Sequence, residues 1–138
     1  MSTPKEKSDQ ALIAIVDDDQ SFREALQCLL TLIGFRTAIF TSARNFLDSP
    51  QFPNVACAIL DVSMPGMDGL ELQQHLVAKH PIPIVFVTDL RDAKTRDQAV
   101  AAGAIRFLNK PVTEEILIEA LNSAFRAQRG TRLVGSMS

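Results

Sequence analysis

Short, almost wholly apolar runs alternate along this chain with segments whose apolar residues recur every three or four positions. Ala11 to Val16 (ALIAIV), Val55 to Leu60 (VACAIL) and Ile82 to Val87 (IPIVFV) belong to the first kind, the pattern of strands buried on both faces. Phe35 to Phe40 and Ile105 to Leu108 read as two further strands. Between them, Phe22, Ala25, Leu26, Leu29, Leu30 and Ile33 fall at helical spacing, with Ser21 and Glu24 as an expected capping box and Gly34 as the stop. Ser42 starts a short helix that buries Phe46 and Leu47. Asp68 and Glu71 open a third helix with Leu70, Leu72, Leu76 and Val77 as core candidates, and Thr113 caps a last one with Leu117, Ala120, Leu121 and Ala124 as its stripe. The segment from Arg91 to Ala102 offers only Ala93, Ala99, Val100 and small neighbours, which predicts a weakly anchored, mobile helix. Residues 1–10 are expected to be a disordered leader, 11–128 a single domain and 129–138 a flexible tail, because the two ends lack periodicity.

Five apolar strands alternating with five helices predict an α/β fold, a doubly wound parallel sheet with helices on both faces. In such sheets the functional crevice lies beyond the carboxyl ends of the strands. That rule selects Asp17, Asp18 and Asp19 after the first strand, Asp61 after the third, Thr88 after the fourth and Lys110 after the fifth. Carboxylates gathered at one point repel unless a cation neutralises them, and an all-oxygen cluster suits a hard divalent ion, foremost Mg²⁺. A lysine and a hydroxyl beside such a cluster would stabilise a transferring phosphoryl group, with Asp61 as the nucleophile that becomes an acyl phosphate. Asp19 has the plainer reading of a helix cap, and His75 and His80 lie away from the strand ends as surface histidines.

Composition narrows the function further. Fourteen Lys and Arg against 16 Asp and Glu give a net charge of −2, which argues against nucleic-acid binding by this chain alone. No apolar run approaches the roughly 20 residues of a membrane helix, and the first ten residues are too polar for a signal peptide, so a cytoplasmic location is expected. Cys28 and Cys57 lie in apolar patterns without metal-ligand spacing and read as buried thiols. The absence of Trp and Tyr weakens a flavin role. A Mg²⁺-dependent phosphatase is disfavoured because D-x-D-x-T and G-x-x-x-x-G-K-[ST] motifs are missing.

Across residues 11–128 the motifs Ile15-Val16-Asp17-Asp18-Asp19, Leu60-Asp61-Val62-Ser63-Met64-Pro65-Gly66-Met67-Asp68-Gly69, Val87-Thr88, Gly103-Ala104 and Phe107-Leu108-Asn109-Lys110-Pro111 stand in one order and spacing. In these the chain resembles the receiver domain of two-component response regulators, most of all FixJ-type receivers. The resemblance implies a flavodoxin-like strand order of 2-1-3-4-5, which the patterning alone does not give. It implies that Asp61 accepts a phosphoryl group from a histidine kinase or phosphotransfer protein. Mg²⁺ would be held by Asp18, Asp61 and the Ser63 carbonyl, with Asp17 acting through water. Lys110, ahead of an expected cis Pro111, would pair with the phosphoryl oxygens. Thr88 and Phe107 would switch together and alter the face of the fourth helix, fifth strand and fifth helix. The resemblance implies a signalling domain rather than an enzyme, with a downstream protein target and a phosphorylation-dependent homodimer as one form of output. Asp89 departs from the small residue usual after the switch threonine and, with Leu90, is expected to modulate the chemistry. The alternative is a degenerate receiver that binds partners without phosphorylation. No DNA-binding domain follows in this sequence, so it is either a stand-alone receiver or a fragment.

Overall fold

The computed structural model describes the backbone of residues 11–137 and side chains through Ala127. The expected leader, residues 1–10, lies outside the described residues. The sheet comprises β1 (Leu12–Val16), β2 (Arg36–Phe40), β3 (Val55–Leu60), β4 (Ile84–Thr88) and β5 (Arg106–Asn109), all parallel, in the order β2-β1-β3-β4-β5. Between and after them run α1 (Gln20–Ile33), α2 (Ala43–Leu47), α3 (Gly69–Lys79), α4 (Ala93–Ala101) and α5 (Glu114–Met137), with a 3₁₀ turn at Phe52–Asn54. Among the described residues no helix is long and apolar enough to cross a membrane.

Side-chain alternation along β1 divides the core into two layers. Leu12, Ala14 and Val16 face one way, among Phe46, Leu60, Leu72, Leu76, Phe86 and Ala99 of the α2, α3 and α4 side. Ile13 and Ile15 face the other, among Leu26, Leu30, Ile59, Val85, Leu117 and Leu121 of the α1 and α5 side. Both faces are covered, which is why the strand sequences run apolar without alternation.

Several local expectations need correction. The cap of α1 is Asp19, whose carboxylate accepts from Phe22 N at 3.2 Å; the helix begins at Gln20, so Ser21 is already inside it. Ala25 and Cys28 lie on the outer face of α1, and of the two thiols only Cys57 is buried, where loss of solvation pushes it up to about 12. Val77 points away from the core, 53% exposed. Strand β4 starts at Ile84 rather than Ile82, because Pro83 has no N–H to offer the ladder, although its carbonyl still accepts from Ala58 N. Strand β5 is displaced by one residue, to Arg106–Asn109. Helix α5 runs on to Met137, past the Gln128 at which periodicity fades. The expected caps at Ser42, Thr113 and the Asp68–Glu71 box are all formed.

Candidate functional site

The sheet's hydrogen bonds continue one residue beyond the strands, and that extension places the site. Asp17 N donates to Phe40 O at 3.2 Å, Asp61 N to Val16 O at 3.1 Å and Lys110 N to Thr88 O at 3.0 Å. The residues after β1, β3 and β5 are thereby fixed by the backbone before any side chain acts. Gly69, the first residue of α3, adds a clamp: its N–H donates to Val62 O at 2.8 Å, and a Cβ there would fall on the Asp61 carbonyl oxygen. Only glycine allows the helix to start so close behind Asp61.

Of the residues the strand-end rule selects, Asp17, Asp18, Asp61 and Lys110 are brought together. Lys110 Nζ lies 2.9 Å from Asp17 Oδ2 and 3.5 Å from Asp61 Oδ2, and 4.1 Å from the centre of the Phe22 ring. Asp17 Oδ1 accepts from Asp19 N at 2.8 Å, and Arg23 donates to the Asp17 carbonyl at 2.8 Å. Asp61 Oδ1 accepts from Ser63 N at 3.3 Å. Asp17 is 1% exposed and Asp61 6%, whereas Asp18 stands in solvent. Burial raises the Asp17 carboxyl above its usual range, against the opposing pull of Lys110. Burial alone would lower Lys110, but the Asp17 hydrogen bond and the charges of Asp17, Asp61 and Asp89 together raise it, so it is a cation at neutral pH.

One oxygen from each of Asp17, Asp18 and Asp61 can be chosen so that all three lie within 4.8 Å of one another. Opposite ligands of an octahedral Mg²⁺ are separated by about 4.2 Å, so this all-oxygen set fits a small hard cation after minor adjustment. Among the described residues the buried Asp17 and Asp61 carboxylates share a single ammonium, that of Lys110, so with Asp18 beside them the cluster keeps negative charge that such an ion would neutralise.

Thr88 is wholly buried at the end of β4, and its hydroxyl accepts from Leu90 N at 3.2 Å. Phe107 is half-buried, its ring 5.8 Å from that of Phe86. Asp89 is exposed beside Thr88, close enough for its charge to act on Lys110. Leu90 lines an open groove of about 600 Å³ with Val62, Ser63, Met64, Asp68 and Thr95. His80 is less free than expected, its ring 4.7 Å from that of Phe52.

Four contributors were not legible as site residues. Phe22 and Arg23 read as ordinary helix positions, although their distance of one turn from the acidic triplet was a usable signal. Asn109 joins β5 to the β4 end through Thr88 O at 3.3 Å and Leu90 O at 2.9 Å, and Gly69 carries its role entirely in a close approach that no pattern encodes. The Lys110–Pro111 peptide bond is cis.

Residues 13–122 match the family model described as the response regulator receiver domain. The chain belongs to that family. Receivers are signalling domains of two-component systems, and among the curated relatives of this one is the response regulator protein TmoT of Ectopseudomonas mendocina, 41% identical over 118 residues, or 85% of this chain and 54% of TmoT. The transcriptional regulatory protein FixJ of Bradyrhizobium diazoefficiens is 36% identical over 115 residues, 83% of this chain and 56% of FixJ. The receiver thus spans about half the length of the curated relatives it matches. Its fold superimposes on the response regulator StyR with a TM-score of 0.82 at 38% identity, covering 93% of this chain and 65% of StyR. The corresponding values for the FixJ N-terminal structure are 0.73 and 33%, covering 83% of this chain and 92% of that one.

Proposed function

We propose that this receiver takes a phosphoryl group on Asp61 from the phosphohistidine of a sensor kinase or phosphotransfer protein. The observation that carries this reading is the placing of Asp61: nearly buried, held by Ser63 N on one oxygen and faced by Lys110 on the other. A carboxylate oxygen of Asp61 attacks phosphorus, the nitrogen–phosphorus bond breaks, and the imidazole leaves with that electron pair and regains its proton from solvent. No general base is required. Lys110 pairs with the phosphoryl oxygens and offsets their charge, giving up part of its contact with Asp17 and Asp61. Asp18, Asp61 and the Ser63 carbonyl would hold Mg²⁺, with Asp17 reached through water; the ion would supply neutralisation of the gathered oxygens.

The Thr88 hydroxyl, now engaged by Leu90 N, turns to a phosphoryl oxygen, and Phe107 moves inward in response. The change appears on the face made by α4, β5 and α5, where a downstream protein or a second copy of the chain reads it as a shift in population. The cytoplasm, where kinase and phosphodonors reside, is the compartment this role requires. Intact mass after exposure to acetyl phosphate with Mg²⁺ tests the reading: one added phosphoryl group, lost in Asp61→Asn and on chelation of Mg²⁺, is expected. No adduct at any quenched time point would contradict it.

A second reading, binding without phosphorylation, is favoured by one observation, the Asp89 carboxylate acting on Lys110 at the mouth of the site. There it repels both incoming phosphodonors and attacking hydroxide. If Asp61→Asn left partner binding unchanged, that second reading would replace the first.

A further inference from the structure

Away from the acidic site, two guanidinium groups converge on one hydroxyl. Arg106 of β5 donates from Nη2 to Ser123 Oγ at 2.9 Å and from Nη1 to the Ile105 carbonyl at 2.9 Å. Arg126, three residues beyond Ser123 on α5, donates from Nη2 to the same Oγ at 3.2 Å. The two nitrogens therefore lie within about 6 Å of each other, a separation at which like charges repel appreciably in a partly dehydrated setting. Ser123 is 9% exposed, and among the described residues its hydroxyl proton meets no acceptor. Neither arginine has a carboxylate at ion-pair distance: the ion pairs among the described residues are Arg96 with Asp97 and Lys110 with Asp17 and Asp61.

Two cations and a hydroxyl proton are thus aimed at one region where, among the described residues, no carboxylate lies at ion-pair distance from either arginine. Each guanidinium has five N–H donors, of which Arg106 commits two and Arg126 one, so both retain donors for a planar oxyanion. We propose that Arg106, Ser123 and Arg126 form a binding site for a carboxylate side chain on an acidic segment of a partner protein. The surroundings select a single carboxylate over a polyanion. Glu114, Glu115 and Glu119 are all exposed on the earlier turns of α5, so a nucleic acid or an anionic membrane surface would meet repulsion next to the two arginines. Ile116, 44% exposed and two turns before Ser123, lies on the same side of α5 about 10 Å away and offers an apolar foothold to the same segment. The site gives the α4–β5–α5 face a partner chemistry without requiring a modified Asp61.

The test uses the full, unmodified chain, so its failure would leave the phosphoacceptor reading standing. Arginine Nε–Hε and backbone amide NMR signals are followed while a blocked peptide carrying one glutamate and one leucine among alanines is added, then in parallel with inorganic phosphate and with sodium chloride at matched ionic strength. Saturable shifts at Arg106, Arg126 and Ser123 with the peptide are expected, weakened about tenfold in Arg126→Gln and in Arg106→Gln and unchanged in Arg96→Gln. No shift in the wild type would overturn the proposal. So would equal shifts at Arg36 and Arg44, which would mean diffuse screening, or saturation by phosphate with none by the peptide, which would make the site one for a small phosphate.

Discussion

Helices α3 and α4 cover the same face of the sheet and are held in opposite ways. α3 buries Gly69, Leu72, Gln73 and Leu76, begins on the backbone of Asp61 and is closed at its start by the Asp68–Glu71 box. α4 buries Ala99 alone and leaves Val100 52% exposed. A specific tie between them is the amide of Gln73, 1% exposed, which donates to Ala99 O at 2.9 Å. Under the proposed function, the contrast assigns one helix to hold the acceptor still and the other to move when the acceptor changes.

The contrast can be broken most strongly from the α3 side. Leu72→Ala is expected to cost about 3 to 4 kcal/mol in urea unfolding, whereas Val100→Ala on α4 should stay within about 0.5 kcal/mol. Equal costs would mean that the two helices are equally anchored. Gly69→Ala should cost about 2 to 3 kcal/mol, because either the start of α3 or the Asp61 carbonyl must shift, and it should also slow phosphoryl uptake from acetyl phosphate. Gln73→Leu removes one buried hydrogen bond, about 1 kcal/mol, but its distinguishing result is selective: amide exchange should quicken in α4 and remain unchanged in the middle of α3.

The smallest effect concerns pH. The folded protein holds the Asp17 proton more tightly than the unfolded chain does, so this group favours folding below its ordinary value of 3.8. That contribution disappears as pH rises through the higher folded value. The stability of wild type relative to Asp17→Asn should therefore fall between acid and neutral pH. Lys110 behaves oppositely in origin: its raised value stabilises the fold at neutral pH and loses that effect above 10.5, as pH passes through the folded value.

How much of this was legible in the sequence depends on the kind of interaction. Strand runs and strand-end acids were readable because burial on both faces removes polar residues and leaves the carboxylates conspicuous after Val16 and Leu60. The weak anchoring of α4 was readable for the same reason, since it lacks large apolar residues. Strand order came only with the family resemblance, because crossover helices of similar pattern permit several orders. Gly69, Gln73, Arg23 and Asn109 stayed hidden because their roles are single contacts with distant backbone atoms, which impose no period on the chain. Cys28 and Val77 were misplaced because an apolar residue on an amphipathic helix can sit just outside the buried stripe.

The most direct test of the division between a fixed and a moving helix is amide hydrogen exchange, resolved by peptide, with and without beryllium trifluoride and Mg²⁺ as a stable mimic of a carboxylate-bound phosphoryl group. Altered protection is expected in segments covering Thr88 to Asn109, with α3 unchanged and no response in Asp61→Asn. A response that is absent, or as large in α3 as in α4, would contradict that division.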